Sequence, residues 1–226
     1  MLSLYGWAPR FHGDLSLDGF GQGTDGAPQG AGFGIAGEVR PPGWFASLDF
    51  GWGLFKDDLG LEDVHPDFVG ADVDYTFHYI ELAAGPCIYE LPAEGPEPGR
   101  RVRGPSRLRI DPYLGVRANQ LTIDSDFNPD LPGDAIDEVW VDPIAGLRVE
   151  VRPLPGLALR ARGDAGGFGV GAKRDWRATA AASLRLGEGA WLSAGWNFHA
   201  IDYERSDEFT FHTRLDGPFL SIDFWF

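Results

Sequence analysis

From Leu220 to the carboxyl end the even-numbered positions, Leu220, Ile222, Phe224 and Phe226, are all large and apolar, with Ser221 and Asp223 among the residues between them. Side chains of an extended chain point alternately to opposite faces, so this stretch reads as a strand with one greasy face and one mixed face. It finishes on an aromatic residue with no polar tail, whereas the ends of water-soluble domains are usually solvated. The constraint is strong because the same two-residue period returns along most of the chain.

Ten strands are expected in a single domain spanning residues 1–226, with eight as the alternative. The first covers about 3–18, with Phe11, Gly13 and Leu15 on one face and His12, Asp14 and Ser16 on the other. Residues 19–32, rich in glycine, read as a loop. The second strand covers 33–40, and Pro41-Pro42-Gly43 then forces a turn, since proline presets φ and glycine accepts positive φ. The third, 44–54, alternates most clearly: Trp44, Ala46, Leu48, Phe50 and Trp52 against Ser47, Asp49, Gly51 and Gly53. Strands follow at about 73–91, 108–119, 139–152, 157–165, 176–186, 192–200 and 208–226. In the last, the apolar phase predicts a bulge at Gly217-Pro218. Polar, acidic connections are expected at 56–72 and 124–137.

Composition narrows the class. With 32 Gly and 17 Pro, long helices are disfavoured and turns abundant. No apolar run of 18 residues occurs, so no membrane helix is written here. Yet aromatic residues make up 13% while mean hydropathy is −0.19, which suits a barrel whose apolar outer face is diluted by a polar interior and polar loops. The net charge of −15 disfavours nucleic acid. A single Cys87 excludes an internal disulfide. Met1-Leu-Ser-Leu-Tyr-Gly-Trp7 has neither a basic segment nor an apolar core, so an exported protein would need a leader outside this sequence.

Period two does not say which face is inside. A water-soluble barrel would turn its apolar rows inward, and that alternative would make the chain a small-ligand binder. Trp44, Trp52, Trp176, Phe224 and Phe226 lie toward strand ends on the greasy rows, as an interfacial aromatic belt would. The expected fold is therefore an all-β, transmembrane, up-and-down antiparallel barrel, its closure removing edges that lipid could not satisfy. The lumen then holds a polar network of Arg109, Asp111, Arg117, Asp142, Arg148, Glu150, Arg160, Arg162, Asp164, Arg177, Arg185, His12 and His199.

Tyr5-Gly6-Trp7, the run Gly163 to Gly171 followed by Asp175-Trp176, and Asp216-Gly-Pro-Phe219 leading to Phe226 resemble features of a poorly characterised family of small Gram-negative outer-membrane barrel proteins. The resemblance implies an outer-membrane location, lipid and lipopolysaccharide as surroundings, and recognition of Phe224 and Phe226 by the barrel-assembly machinery.

Three constellations could carry chemistry. Asp124, Asp126, Asn128 and Asp130 have the alternate oxygens that open a calcium loop, but Pro129 stands where glycine is needed and Ala135 where a bidentate Glu belongs. Acidic rims around 57–72 and 124–138 could instead gather divalent cations together with lipopolysaccharide phosphates. His12, Asp14, His199 and Arg214 or Asp216 could meet near the barrel seam, where a His–carboxylate pair can act as general base. In residue type and strand number this is similar to the omptin-type outer-membrane proteases, without a matching set of four catalytic residues. Gly163 to Gly171 lacks the Lys and helix of a phosphate loop and reads as a turn needing positive φ. Arg100, Arg101, Arg103 and Arg107 form a basic connection. No cofactor and no enzymatic activity are expected. The functional expectation is a barrel with a filled or narrow lumen and acidic outer loops, in a structural or surface role or passing small solutes sparingly.

Overall fold

In the computed structural model, residues 1–17, 20–23, 30–59, 70–91, 107–128, 135–206 and 209–226 are described, and among them there is no helix. The strands are β1 (Leu2–Trp7), β2 (Arg10–Leu17), β3 (Phe20–Gly23), β4 (Gly30–Val39), β5 (Trp44–Leu59), β6 (Gly70–Pro86), β7 (Tyr89–Leu91), β8 (Leu108–Asn128), β9 (Ala135–Leu154), β10 (Leu157–Gly167), β11 (Arg174–Arg185), β12 (Ala190–Ser206) and β13 (Phe209–Phe224). They make ten staves: β1 with β2 is one stave, β3 with β4 another, and β7 continues β6 alongside β8. Every pairing is antiparallel, and β1 closes the barrel by pairing with β13, Leu2 opposite Phe224 and Trp7 opposite Phe219. Both termini lie at one end, which we call the terminal end. The opposite end carries the connections after β2, β5, β8, β10 and β12.

Strands are longer than the alternation alone suggests. β5 runs on to Leu59, β6 starts at Gly70, β8 reaches Asn128 and β9 starts at Ala135. Parts of the expected acidic connections are therefore paired backbone. Likewise β3 and the start of β4 occupy what reads as a glycine-rich loop. The remaining parts of these stretches, with Asp130, Arg100, Arg101 and Arg103, lie outside the described residues.

The expected bulge at Gly217-Pro218 is absent. β13 keeps one register with β12 from Thr210 through Phe224, and one inward row, with Phe211, Thr213, Leu215, Ser221 and Asp223 all buried. The interruption sits on the neighbouring stave instead, at Ala8-Pro9 between β1 and β2. Neither Pro9 nor Pro218 has an N–H to give the ladder, and Ala8 N still donates to Pro218 O at 3.0 Å. Gly217 permits this approach, since a Cβ there would stand 2.1 Å from the Ala8 carbonyl oxygen.

The two halves of the barrel have opposite chemistry. Toward the terminal end the outward rows are apolar, as with Leu48, Leu82, Leu114, Val141, Leu184 and Leu220, all exposed, while Asp49, Glu81, Arg117, Asp142 and Asp223 are buried inside. Beyond residues 119–121 of β8 the same staves change over. Outward positions become Gln120, Thr122, Asp137, Asp74, His212 and Arg214, and inward ones become Leu121, Ile123, Tyr75, Phe77, Ile201 and Phe211. The first half is built to sit in lipid and the second to stand in water, because an apolar face must be removed from water and a buried charge must be paired.

Small residues let the inner aromatics lie flat. Gly32 sits under Trp7, whose Nε1 donates to Trp52 O at 3.2 Å, and a Cβ on Gly32 would stand 1.7 Å from that nitrogen. Gly37, farther along β4, has open space around it. Gly32→Ala is expected to lower stability by about 1–3 kcal/mol through overpacking, seen as an earlier urea midpoint of the folded barrel in detergent. Gly37→Ala should leave the midpoint within experimental scatter.

Candidate functional site: the lumen

Three layers fill the interior. At the loop end, Trp7, Phe11, Phe55, Tyr75, Phe77, Tyr79, Leu121, Ile123, Trp140, Ile201, Tyr203, Phe211 and Leu215 form one buried apolar cluster. Trp140 stacks on Tyr203 at 4.4 Å and Phe11 on Tyr75 at 5.3 Å. The β10–β11 turn folds onto this cluster: Ala172 is fully buried and its N–H donates to Asp142 Oδ1 at 2.7 Å. Gly171 makes room for it, since a Cβ there would meet Val141 O at 2.6 Å. The same turn uses positive φ at Gly167, Phe168 and Gly169, so the glycine run serves backbone geometry.

Below lies a layer centred on Arg117, which is fully buried. Its Nη2 donates to Glu81 Oε2 and Asp164 Oδ1, each at 2.7 Å, and its Nη1 to Asp175 Oδ1 at 2.7 Å. Arg162 donates to Glu81 and, at 2.7 Å, to the Tyr113 hydroxyl, which donates to Asp164 Oδ2. Arg177 reaches Asp49 Oδ2 at 3.0 Å and lies over the Tyr79 ring. His199 shares a hydrogen bond of 2.8 Å with Asp175 Oδ1, and Asn119 Nδ2 donates to both Asp142 and Asp175. A fork of five N–H donors is the side chain that can satisfy several carboxylates at one point, so arginine rather than lysine occupies the centre.

Nearest the terminal end is a more open ring. Glu38 accepts from Arg40 and from Arg148 Nη1, and Arg148 Nη2 donates to Asp111 Oδ2 at 3.0 Å. Glu150 accepts from Arg40 at 3.0 Å and Arg152 at 2.7 Å. Asp223 is held by Ser3, Ser193 and Arg160. A chamber of about 210 Å³ lies among these groups, floored by Trp7 and Tyr79, and a mouth of about 460 Å³ leads out past Trp191 and Trp225.

Of the residues read as a lumen network, Arg109, Asp111, Arg117, Asp142, Arg148, Glu150, Arg160, Arg162, Asp164, Arg177 and His199 face inward here. Two do not. Arg185 is exposed at the terminal rim, where it donates to Gly187 O. His12 is on the outer face, its ring 3.6 Å from Asp216, with Arg214 beside it over Phe198. On β2 it is Phe11 that turns inward, because this length of the stave lies in the half whose interior is apolar. His199 is thus separated from His12, Arg214 and Asp216 by the barrel wall, and the seam constellation is not assembled. Asp14 lies opposite His212 in the backbone register.

The calcium-type run fares no better. Asp124, Asp126 and Asn128 lie in β8, paired with β6, and an extended strand spreads alternate residues along a line instead of curling them around a cation. Glu38, Asp49, Glu81, Asp175 and Asp223, which complete the network, are not among the lumen residues named from the sequence. Their signal is positional, because all share the inward parity of their strands. Phe224 and Phe226 point outward at the terminal end, Phe226 almost fully exposed, and Cys87 is half-buried in the step between β6 and β7.

No family model and no curated protein matches the chain. Solved structures do. The translocator domain of the autotransporter NalP from Neisseria meningitidis superposes with a TM-score of 0.51 at 11% identity, over 96% of this chain and 87% of that one. The transport unit of the autotransporter AIDA-I from Escherichia coli gives 0.49 at 11% identity, over 100% and 90%. Ail, the attachment invasion locus protein of Yersinia pestis, gives 0.38 at 10% identity, over 97% of each chain. At these identities the likeness to NalP concerns architecture, and that architecture is an outer-membrane β-barrel.

Proposed function

We propose that the chain is an integral barrel of a bacterial outer membrane whose lumen is sealed, and that it has a structural or surface-presenting role rather than a catalytic or general-porin one. The observation that carries this reading is the stacking of a continuous aromatic plug on a fully paired arginine–carboxylate layer. The chamber that enters from the terminal end is floored by Trp7 and Tyr79, both members of that plug. The apolar outer belt of the terminal half supports membrane insertion. The polar outer collar beyond it stands at the level where lipopolysaccharide head groups would lie. A non-enzymatic role is supported by the seclusion of the Asp175–His199 pair, since a general base must come within hydrogen-bond reach of its substrate.

The test is conductance. Purified protein inserted into planar bilayers is expected to give no steady single-channel current, while a heat-modifiability gel shows it folded. Stable openings of nanosiemens size from the folded species would refute the sealed-lumen reading.

A further inference from the structure

At the terminal end, buried donors without acceptors gather on one side of the lumen. The Nε and Nη2 atoms of Arg160 and the Nε1 of Trp225 are all buried and make no hydrogen bond. The Arg160 guanidinium lies 5.9 Å from the centre of the Trp225 ring, and the guanidinium groups of Arg40 and Arg152 lie 4.7 and 5.9 Å from it. Nε and Nη2 are the two N–H groups on one edge of the guanidinium, the fork that grips two oxygens of a carboxylate or phosphate.

The neighbouring carboxylates are already committed. Glu150 accepts from Arg40 and Arg152, and its nearer oxygen stands 3.5 Å from Arg160 Nε. Asp223 accepts from Arg160 Nη1 and from three serines, Ser3, Ser193 and Ser221. A buried polar group without a partner is costly, and here the missing partners are all acceptors. Arg160 lines the chamber and Trp225 its mouth, and the two spaces share Arg40 and Glu150. The mouth adds Arg109 and Arg185 against Glu90, leaving an excess of positive charge that favours the approach of an anion.

We propose that the terminal end of the lumen, where the chamber meets its mouth, is a binding site for a small oxyanion, a carboxylate or a phosphate, gripped by the Arg160 fork beside the Trp225 indole N–H. Trp191 and Trp225 flank the mouth with aromatic surface, so a carboxylate on an aromatic ring fits the site better than a bare ion. The site depends on the lumen alone and holds whether or not the barrel conducts.

Isothermal titration of the full chain, folded in a zwitterionic detergent, with benzoate and separately with inorganic phosphate would test this. Saturable binding of one stoichiometric anion is expected, with benzoate the tighter probe because Trp191 and Trp225 wall the mouth. Arg160→Gln should weaken it at least tenfold. Arg214→Gln, on the outer face, should leave it unchanged, and heat-modifiability would show that both variants fold. No saturable binding of either probe to the folded wild type, or equal affinity in Arg160→Gln, would overturn the proposal. Should Arg160→Gln not fold, Arg152→Gln at the mouth must weaken binding at least threefold, and undiminished binding there would overturn it equally.

Discussion

Replacing Arg117 with methionine is expected to destabilise the folded barrel by about 3–5 kcal/mol, the cost of removing one partner from a buried ion cluster. The reason is the number of groups it leaves behind. Glu81, Asp164 and Asp175 each lose a bond from the same fully buried guanidinium, and Arg162 and Arg177 are already engaged with Glu81, Tyr113 and Asp49. Arg117→Lys should fall between wild type and methionine, since one ammonium cannot serve three carboxylates in a plane. Adding Asp164→Asn to the methionine variant should restore part of the loss, a coupling on the order of 0.5–3 kcal/mol. Urea unfolding of these variants and of Asp164→Asn alone, followed by intrinsic fluorescence in detergent, gives these values. A loss below about 1 kcal/mol for Arg117→Met would mean that the cluster does not carry net charge as drawn.

The second large effect concerns the outer face. Leu114 is 71% exposed and stands between Ala84 and Ala145 of the flanking staves. If that face meets lipid, Leu114→Arg should cost about 2–4 kcal/mol, the range for a basic residue near the middle of a bilayer. Gln120 is on the same strand and the same face, in the collar beyond the belt. Gln120→Arg should cost close to nothing there. The pair is to be compared by urea titration in lipid vesicles, where depth in the bilayer is retained. Two small and equal effects would show that Leu114 faces water, which is what a water-soluble barrel would give.

Strand number, antiparallel order and the parity of most inward rows were legible because a two-residue period survives in a single sequence. The assignment of inside and outside was legible only for the terminal half. A stave such as β13 carries Leu220 and Ile222 outward but Phe211 and Leu215 inward, so its hydrophobic phase changes while its backbone register does not. Hydrophobic phase alone translates that change into a bulge, and on β2 it sends His12 into the lumen. Both errors have one cause: apolar side chains seek whatever is dry, which is lipid along one half of the strand and the barrel's own interior along the other. The ion network was legible as a set of inward charges. Its partners were not, because Arg148 with Glu38 or Arg177 with Asp49 join staves far apart in sequence. Arg185 shares the parity of Arg177 but lies at the rim, and parity carries no information about depth.

The pairing of β1 with β13 has a consequence in time. Ser3 and Asp223, which hydrogen-bond across that joint, are 220 positions apart, so the seam joins the two extremes of the chain. Contacts of such separation are slow to find, since the chain between them must first be ordered. Until then both the leading and the trailing stave present bare N–H and C=O groups, an invitation to pair with a neighbouring molecule. The chain therefore has one vulnerable interval, ended by a single event, and Ile222, opposite Leu4, lies on the stave that ends it.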